Sequence, residues 1–296
     1  MSNNTQTNGS ATPAKIDPRQ PARDIRAFSA FVKSRMPSLQ SVAARHLRPE
    51  RLYRLLVVNV TKTPALQKCS MESIFRAALQ SAELGLEPGS ATGQGYLVPY
   101  GDQCTFIPGY RGLILLAFRS GHVQSVSAQV VYQGDHFEFE MGLAPKLRHI
   151  PSFDAARDPK DITFAYCVVK LKDGGEIYDV MTRGEIDRIR SRSKAGGSGP
   201  WVTDYAEMAR KTVTRRCLKY APMSVEMSKA LALEEAYDTG DNGVLEAEFE
   251  SLDLSDVPEV PTKTDSVKEK IGKAPEPAVD PETGEVQQPD LVGADA

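Results

Sequence analysis

Between residues 239 and 296, Pro258, Pro261, Pro275, Pro277, Pro281 and Pro289 recur too often for a helical or strand period to survive, because each proline fixes φ and removes a backbone donor. The same stretch is strongly acidic, so it reads as a flexible acidic tail. At the other end, residues 1–21 are rich in Asn, Thr, Ser and Pro. They hold too little apolar surface to offset chain entropy and read as a disordered leader. One continuous domain is thereby confined to residues 22–238, with no internal repeat inside it.

Charge is divided along the same boundary. The whole 296-residue chain has a formal net charge of -3, yet the body up to about residue 232 is net basic and the remainder strongly net acidic. A basic body suits a polyanion, and an acidic tail suits either competition with that polyanion, recruitment of a basic partner or simple solubilisation. Cys69, Cys104, Cys167 and Cys217 are widely spaced, without a Cys-x-x-Cys pair, and are expected to be buried reduced thiols. No apolar run is long enough to span a bilayer and the first 14 residues lack a signal-peptide core, which points to the cytoplasm.

Periodicity within the domain predicts an α+β fold. Ile25, Phe28, Val32 and Met36 recur at helical spacing, and a second helix follows Pro49 through Leu52 to Val60. Ser70 caps a third, whose apolar positions run from Met71 to Ala82 and which Gly85 ends. Two β-prone runs, 96–100 and 104–107, flank Gly101-Asp102 as a hairpin. Residues 110–120 form a buried helix. Strands follow at 123–132, 136–140, 163–171 and 176–181, extending one antiparallel sheet as a meander. Thr182 with Glu185, and Asp204 with Glu207, have capping-box spacing. Between the helices they begin lies a loop, Ser191 to Pro200, containing Gly196, Gly197 and Gly199. A last amphipathic stretch, 224–237, is expected to pack on the sheet.

Several chemistries find no support. The glycine-rich segment Gly89 to Gly95 lacks the Lys-Ser or Lys-Thr of a phosphate-binding loop, so no nucleotide cofactor is expected. His46, His122, His136 and His149 lack zinc-protease spacing, and no metal site is assigned. Asp135, Glu138 and Glu140 leave open a magnesium-dependent nuclease or another nucleic-acid-modifying enzyme, although exposed strand carboxylates explain them as well.

Cations carry the positive signal. Lys211, Arg215 and Lys219 fall at i, i+4 and i+8 along one helix edge, with Arg210 and Arg216 nearby and no acid after Glu207. The row is expected to lack neutralising partners and to be held rigid by the helix's apolar face. Arg188 and Arg192 form a second row, and Lys194 stands at the mouth of the glycine loop. Each row alone could be an ordinary solvated face; two rows flanking one loop favour a groove that tracks a phosphate backbone. Trp201, Tyr110, Tyr100 and Tyr96 are candidate base-stacking rings or core residues.

The blocks Ala82-Glu-Leu-Gly-Leu-Glu-Pro-Gly89, Gly95-Tyr-Leu-Val-Pro-Tyr100, Gly109-Tyr-Arg-Gly-Leu113 with Arg119-Ser-Gly121, and Pro200-Trp201 followed by Glu207-Met-Ala-Arg-Lys-Thr212 together resemble the RecT/Redβ family of phage recombinases. Their order and spacing extend over residues 66–222. The resemblance implies a Rad52-like core, a curved antiparallel sheet with a β-hairpin backed by helices, that forms rings or helical filaments on DNA. It implies ATP-independent annealing of single-stranded DNA to a complementary strand, in a bacterial host and from a phage or prophage gene. It further implies partnership with a phage 5′-3′ exonuclease and with host single-strand-binding protein. Arg111 stands where many members of the family that the blocks resemble carry Lys, which keeps the charge and adds bidentate reach. Arg111 and Arg119 then join the cations from Arg188 to Lys219 as expected phosphate contacts.

Overall fold

The computed structural model describes residues 17–89, 91–153, 157–193 and 196–239. The leader up to residue 16, Lys194 and the tail beyond 239 lie outside the described residues, and with them the expectations placed there. Three helices open the fold: α1 (Ile25–Ser34), α2 (Met36–Val42) and α3 (Pro49–Lys62). The Asp24 side chain accepts from the amides of Arg26 and Ala27 to start α1. The second helix was not legible in the apolar spacing, because Pro37 in its first turn interrupts the period.

The next helix, α4 (Met71–Leu84), is the most buried in the molecule. Ser70 accepts from the Ser73 amide at its start, and Gly85 ends it in the left-handed region at φ 64°. Both signals act through the local backbone, which is why the sequence predicts them. Phe75 meets Phe31 edge-on at 5.9 Å. Against α4 packs the hairpin β1 (Gly95–Tyr100) and β2 (Gln103–Pro108), paired antiparallel from Gly95↔Pro108 to Tyr100↔Gln103.

After α5 (Tyr110–Arg119) come β3 (Val123–Tyr132), β4 (His136–Glu140), β5 (Lys146–Ile150), β6 (Ile162–Leu171) and β7 (Glu176–Thr182). The expectation of one sheet needs correcting. Among the described residues the strands form three antiparallel sheets: β1-β2, β3-β6-β7 and β4-β5. β4 does not extend the central sheet; it pairs with β5, from His136↔Ile150 to Glu140↔Lys146. The partner strand, Lys-Leu-Arg-His-Ile, alternates a weak apolar set with cations and carries little strand signal. Phe137 from this hairpin rests on Phe164 and Tyr166 of β6, at ring distances of 5.3 and 5.7 Å.

The chain closes with α6 (Arg183–Arg192), the short α7 (Pro200–Thr203), α8 (Tyr205–Leu218) and α9 (Val225–Thr239). On α6 the Thr182–Glu185 capping box forms in both directions. The matching expectation at α8 fails: Asp204 makes no side-chain cap and instead takes the Thr203 hydroxyl at 2.5 Å. α8 lies on the central sheet, on the face opposite Phe164 and Tyr166, where Cys217 Sγ approaches the Cys167 carbonyl at 3.8 Å. All four cysteines are buried and free. α9 does not lie on the central sheet as expected but packs on β2, α5 and α4, with Met227, Ala230, Leu231, Leu233 and Ala236 turned inward. No helix among the described residues is long and apolar enough to cross a membrane.

Candidate nucleic-acid interface

Every cation of the row on α8 has an acidic partner on α9, contrary to the expectation of an unneutralised edge. Glu234 has no exposed side-chain surface, and it lies 2.8 Å from Lys211 Nζ and 2.8 Å from Arg215 Nη1. Asp238 adds a second carboxylate to Arg215 and sits 3.9 Å from Lys211. Lys219 Nζ reaches Glu235 at 2.5 Å. Burial works against charge at Lys211, Arg215 and Glu234, but the reciprocal attraction outweighs it. Lys211 and Arg215 are accordingly held above their ordinary pKa values and Glu234 below its own. The row is therefore an interhelical joint. Its partners were invisible in the spacing of α8 because they lie on a different helix, about 20 residues along the chain.

The second row behaves differently. Ile186 anchors α6, and Arg188 and Arg192 stand exposed with no acidic partner among the described residues. They line a cleft of about 440 Å³ together with Met181, Ile189 and Arg216. Arg216 is fixed there by a bidentate pair with Asp179, both contacts 2.6 Å, and by the Val180 carbonyl at 2.8 Å. Glu185 lies 3.2 Å from it. The cleft thus presents two free guanidinium groups beside one that is locked, which suits a phosphate that must be met without rearrangement.

On the N-terminal side of α8, Arg210 pairs with Glu207. Arg111, exposed at the start of α5, is favoured in its charged form by the Tyr110 hydroxyl beside it, with Tyr96 and Glu207 nearby. Tyr96 is half exposed, beside the glycine-rich segment that ends at Gly95. That segment lies tight against α5: a Cβ on Gly112 would stand 2.1 Å from the Gln94 carbonyl, and one on Gly109 2.3 Å from that of Gly93. The glycines thus serve backbone approach. Tyr110, Tyr96 and Glu207 thus lie near Arg111, and Arg210 pairs with that same Glu207.

Three other candidates have structural positions. Arg119 donates to the Gly85 carbonyl at 2.9 Å, at the C-terminal end of α4 where a cation is favoured. Trp201 is buried, 4% exposed, with its ring 6.1 Å from that of Tyr205. It offers no open face to a base, a correction to its place among the stacking rings. Tyr100 packs edge-on to Tyr237 at 6.2 Å.

The carboxylates that left an enzyme open do not converge. Asp135 is closed off at the base of the β4-β5 hairpin and accepts from Arg157 Nη2 at 2.8 and 2.9 Å, the Tyr132 amide, the Ser152 amide and His149 Nε2. Burial alone would raise its pKa, but these donors, Arg157 foremost, hold it far below the usual carboxylate range. Glu138 and Glu140 point to solvent on β4, and no cluster fit to hold a metal ion occurs among the described residues. The surroundings of Asp135 form a second cleft, of about 430 Å³, that reaches Arg210 on α8. Sequence spacing gave no sign of it, because Arg157 lies in an irregular segment and meets Asp135 only through the fold.

Comparison with known proteins follows the same residues. A model of the RecT family matches residues 50–248. Protein RecT of Escherichia coli (strain K12) is 43% identical over 230 residues, which cover 74% of this chain and 84% of that protein. The uncharacterized protein YqaK of Bacillus subtilis (strain 168) is 28% identical over 172 residues, 57% of this chain and 58% of that protein.

Proposed function

Since the chain belongs to the RecT family, we propose that it binds single-stranded DNA and anneals it to a complementary strand during homologous recombination, without hydrolysing a nucleotide. The observation that carries this reading is the α6 cleft, where Arg188 and Arg192 have no acidic partner among the described residues and stand beside the locked Arg216. Protein cations that contact phosphates displace counterions, and they do so most readily when no carboxylate has to be displaced as well. Arg188, Arg192 and Arg216 would hold phosphates at one end of α8, and Tyr110, Arg111 and Arg210 at the other, while base edges stay open to a second strand. Lys194 and Arg119 would extend this track. Lys211, Arg215 and Lys219 would orient α8 rather than touch DNA. Pairing is downhill, so neither a cofactor nor a metal is needed.

One domain's cations cover only a few nucleotides, and we take the active form to be a homo-oligomer, ring or helical filament, built on the Rad52-like plan that the resemblance implies. Its partners would be single-stranded DNA and the annealed duplex, a phage 5′-3′ exonuclease that supplies single strands, and the host single-strand-binding protein, all in the cytoplasm of a bacterial host. The acidic tail would restrain binding or recruit a partner. Fluorescently labelled complementary oligonucleotides test the proposal. With no nucleotide present, the protein should speed their pairing and leave each strand at full length when magnesium is added. Shortened strands, or pairing no faster than in buffer, would reject it.

A further inference from the structure

The cleft at the base of the β4-β5 hairpin has the parts of a base-binding site. The Arg157 guanidinium lies between two rings, 4.5 Å from the centroid of Tyr132 and 5.1 Å from that of Phe153. Its charge is answered by Asp135, so the cleft is no anion trap. Its Nε is buried without a partner among the described residues. Beneath it, His149 bridges Asp135 at 3.0 Å and the Tyr166 hydroxyl at 3.2 Å, which fixes the floor. At the rim Phe153 is 79% exposed, a large apolar ring left in water beside a planar cation. Arg210, on the cationic side of α8, lines the open end.

A flat ring and a guanidinium plane, over a floor whose polar groups satisfy one another, recognise an aromatic face rather than a charge. A volume of about 430 Å³ admits one base with its sugar. From this geometry we infer that the cleft takes a single nucleobase of the bound strand, stacked on Phe153, with the adjoining phosphate at Arg210. The inference rests on the single-strand-binding function proposed above. Stacking is indifferent to base identity, so the site would anchor a strand without reading its sequence.

Two ligands separate base from backbone: an oligothymidylate and an abasic deoxyribose-phosphate strand of equal length. The wild-type protein should prefer the oligothymidylate. Phe153→Ala should weaken oligothymidylate binding by between about 5-fold and 150-fold, the worth of one stacked base, and leave abasic binding unchanged. Phe153→Trp should restore the preference, and its emission should be quenched by oligothymidylate but not by the abasic strand. Because Phe153 is largely in solvent, neither variant should disturb folding. Equal loss for both strands, or no loss for either, overturns the base site while the annealing function stands. Failure of the wild-type protein to bind any strand overturns both.

Discussion

Glu234 on α9, with no side-chain surface exposed, accepts a hydrogen bond from Arg215 of α8 at 2.8 Å. The same carboxylate faces Lys211, so one buried anion serves two cations. Glu234→Ala would leave Lys211 without its close counter-charge and Arg215 with Asp238 alone, in a partly buried joint. We expect it to destabilise the fold by about 3–5 kcal/mol, read as a lower urea midpoint. Lys211→Gln with Arg215→Gln should also destabilise, by isolating Glu234. Unchanged unfolding in these variants would mean the joint contributes nothing.

The joint also sets an acid limit. Glu234 is held below its ordinary value of 4.5 and Asp135 below 3.8. A depressed folded value means that the stabilisation is complete above those ordinary values and is lost as pH falls below them, since the unfolded chain then binds the protons more readily. Stability from these groups should therefore be flat around neutrality and decline below about pH 4. Glu234→Gln, compared by urea titration at neutral and acid pH, should show a shallower decline than the parent chain.

On α6, Arg188→Gln with Arg192→Gln removes two guanidinium groups that hold no acid among the described residues. Affinity for single strands should drop for all sequences alike, and the slope of log K against log salt should flatten by about 0.7 for each lost contact. Unfolding should shift by no more than about 0.5 kcal/mol. An unaltered salt slope would remove α6 from the interface.

Two glycines make opposite predictions. A Cβ at Gly112 would collide with the Gln94 carbonyl at 2.1 Å, whereas one at Gly184, within α6, meets nothing within 4 Å. Gly112→Ala should destabilise by about 1–3 kcal/mol and push the 91–95 segment off α5. Gly184→Ala should stabilise by about 0.4–1 kcal/mol. Thermal unfolding of the two variants, side by side, checks both signs.

Features that act within a few residues were legible in the sequence. Ser70 and Gly85 bound α4, and Thr182 with Glu185 starts α6, because each satisfies backbone groups beside it. The same spacing at Asp204 and Glu207 forms no cap, because the hydroxyl of Thr203 takes the Asp204 carboxylate first. Pairing between distant segments was not legible. The α8 cations looked free because Glu234, Glu235 and Asp238 belong to a helix whose apolar face alone had been evident. The hairpin of β4 escaped notice because its partner strand is mostly polar. Arg188 and Arg192 kept the exposure their spacing suggested, since nothing remote neutralises them among the described residues.

The Lys229–Glu83 contact, 3.0 Å long, joins α9 to α4 across 146 residues. Because α9 also covers β2 and α5, the first-made layer of helices and its hairpin cannot be sealed until the last described helix exists. A chain leaving the ribosome would therefore carry an open apolar seam on α4 and β2, and an unbalanced basic helix, through nearly all of its synthesis. Long-range closure of this kind slows folding. A nascent chain stalled before Val225 would be both sticky and strongly cationic, inviting capture by the polyanions nearest to it, the ribosomal and messenger RNA.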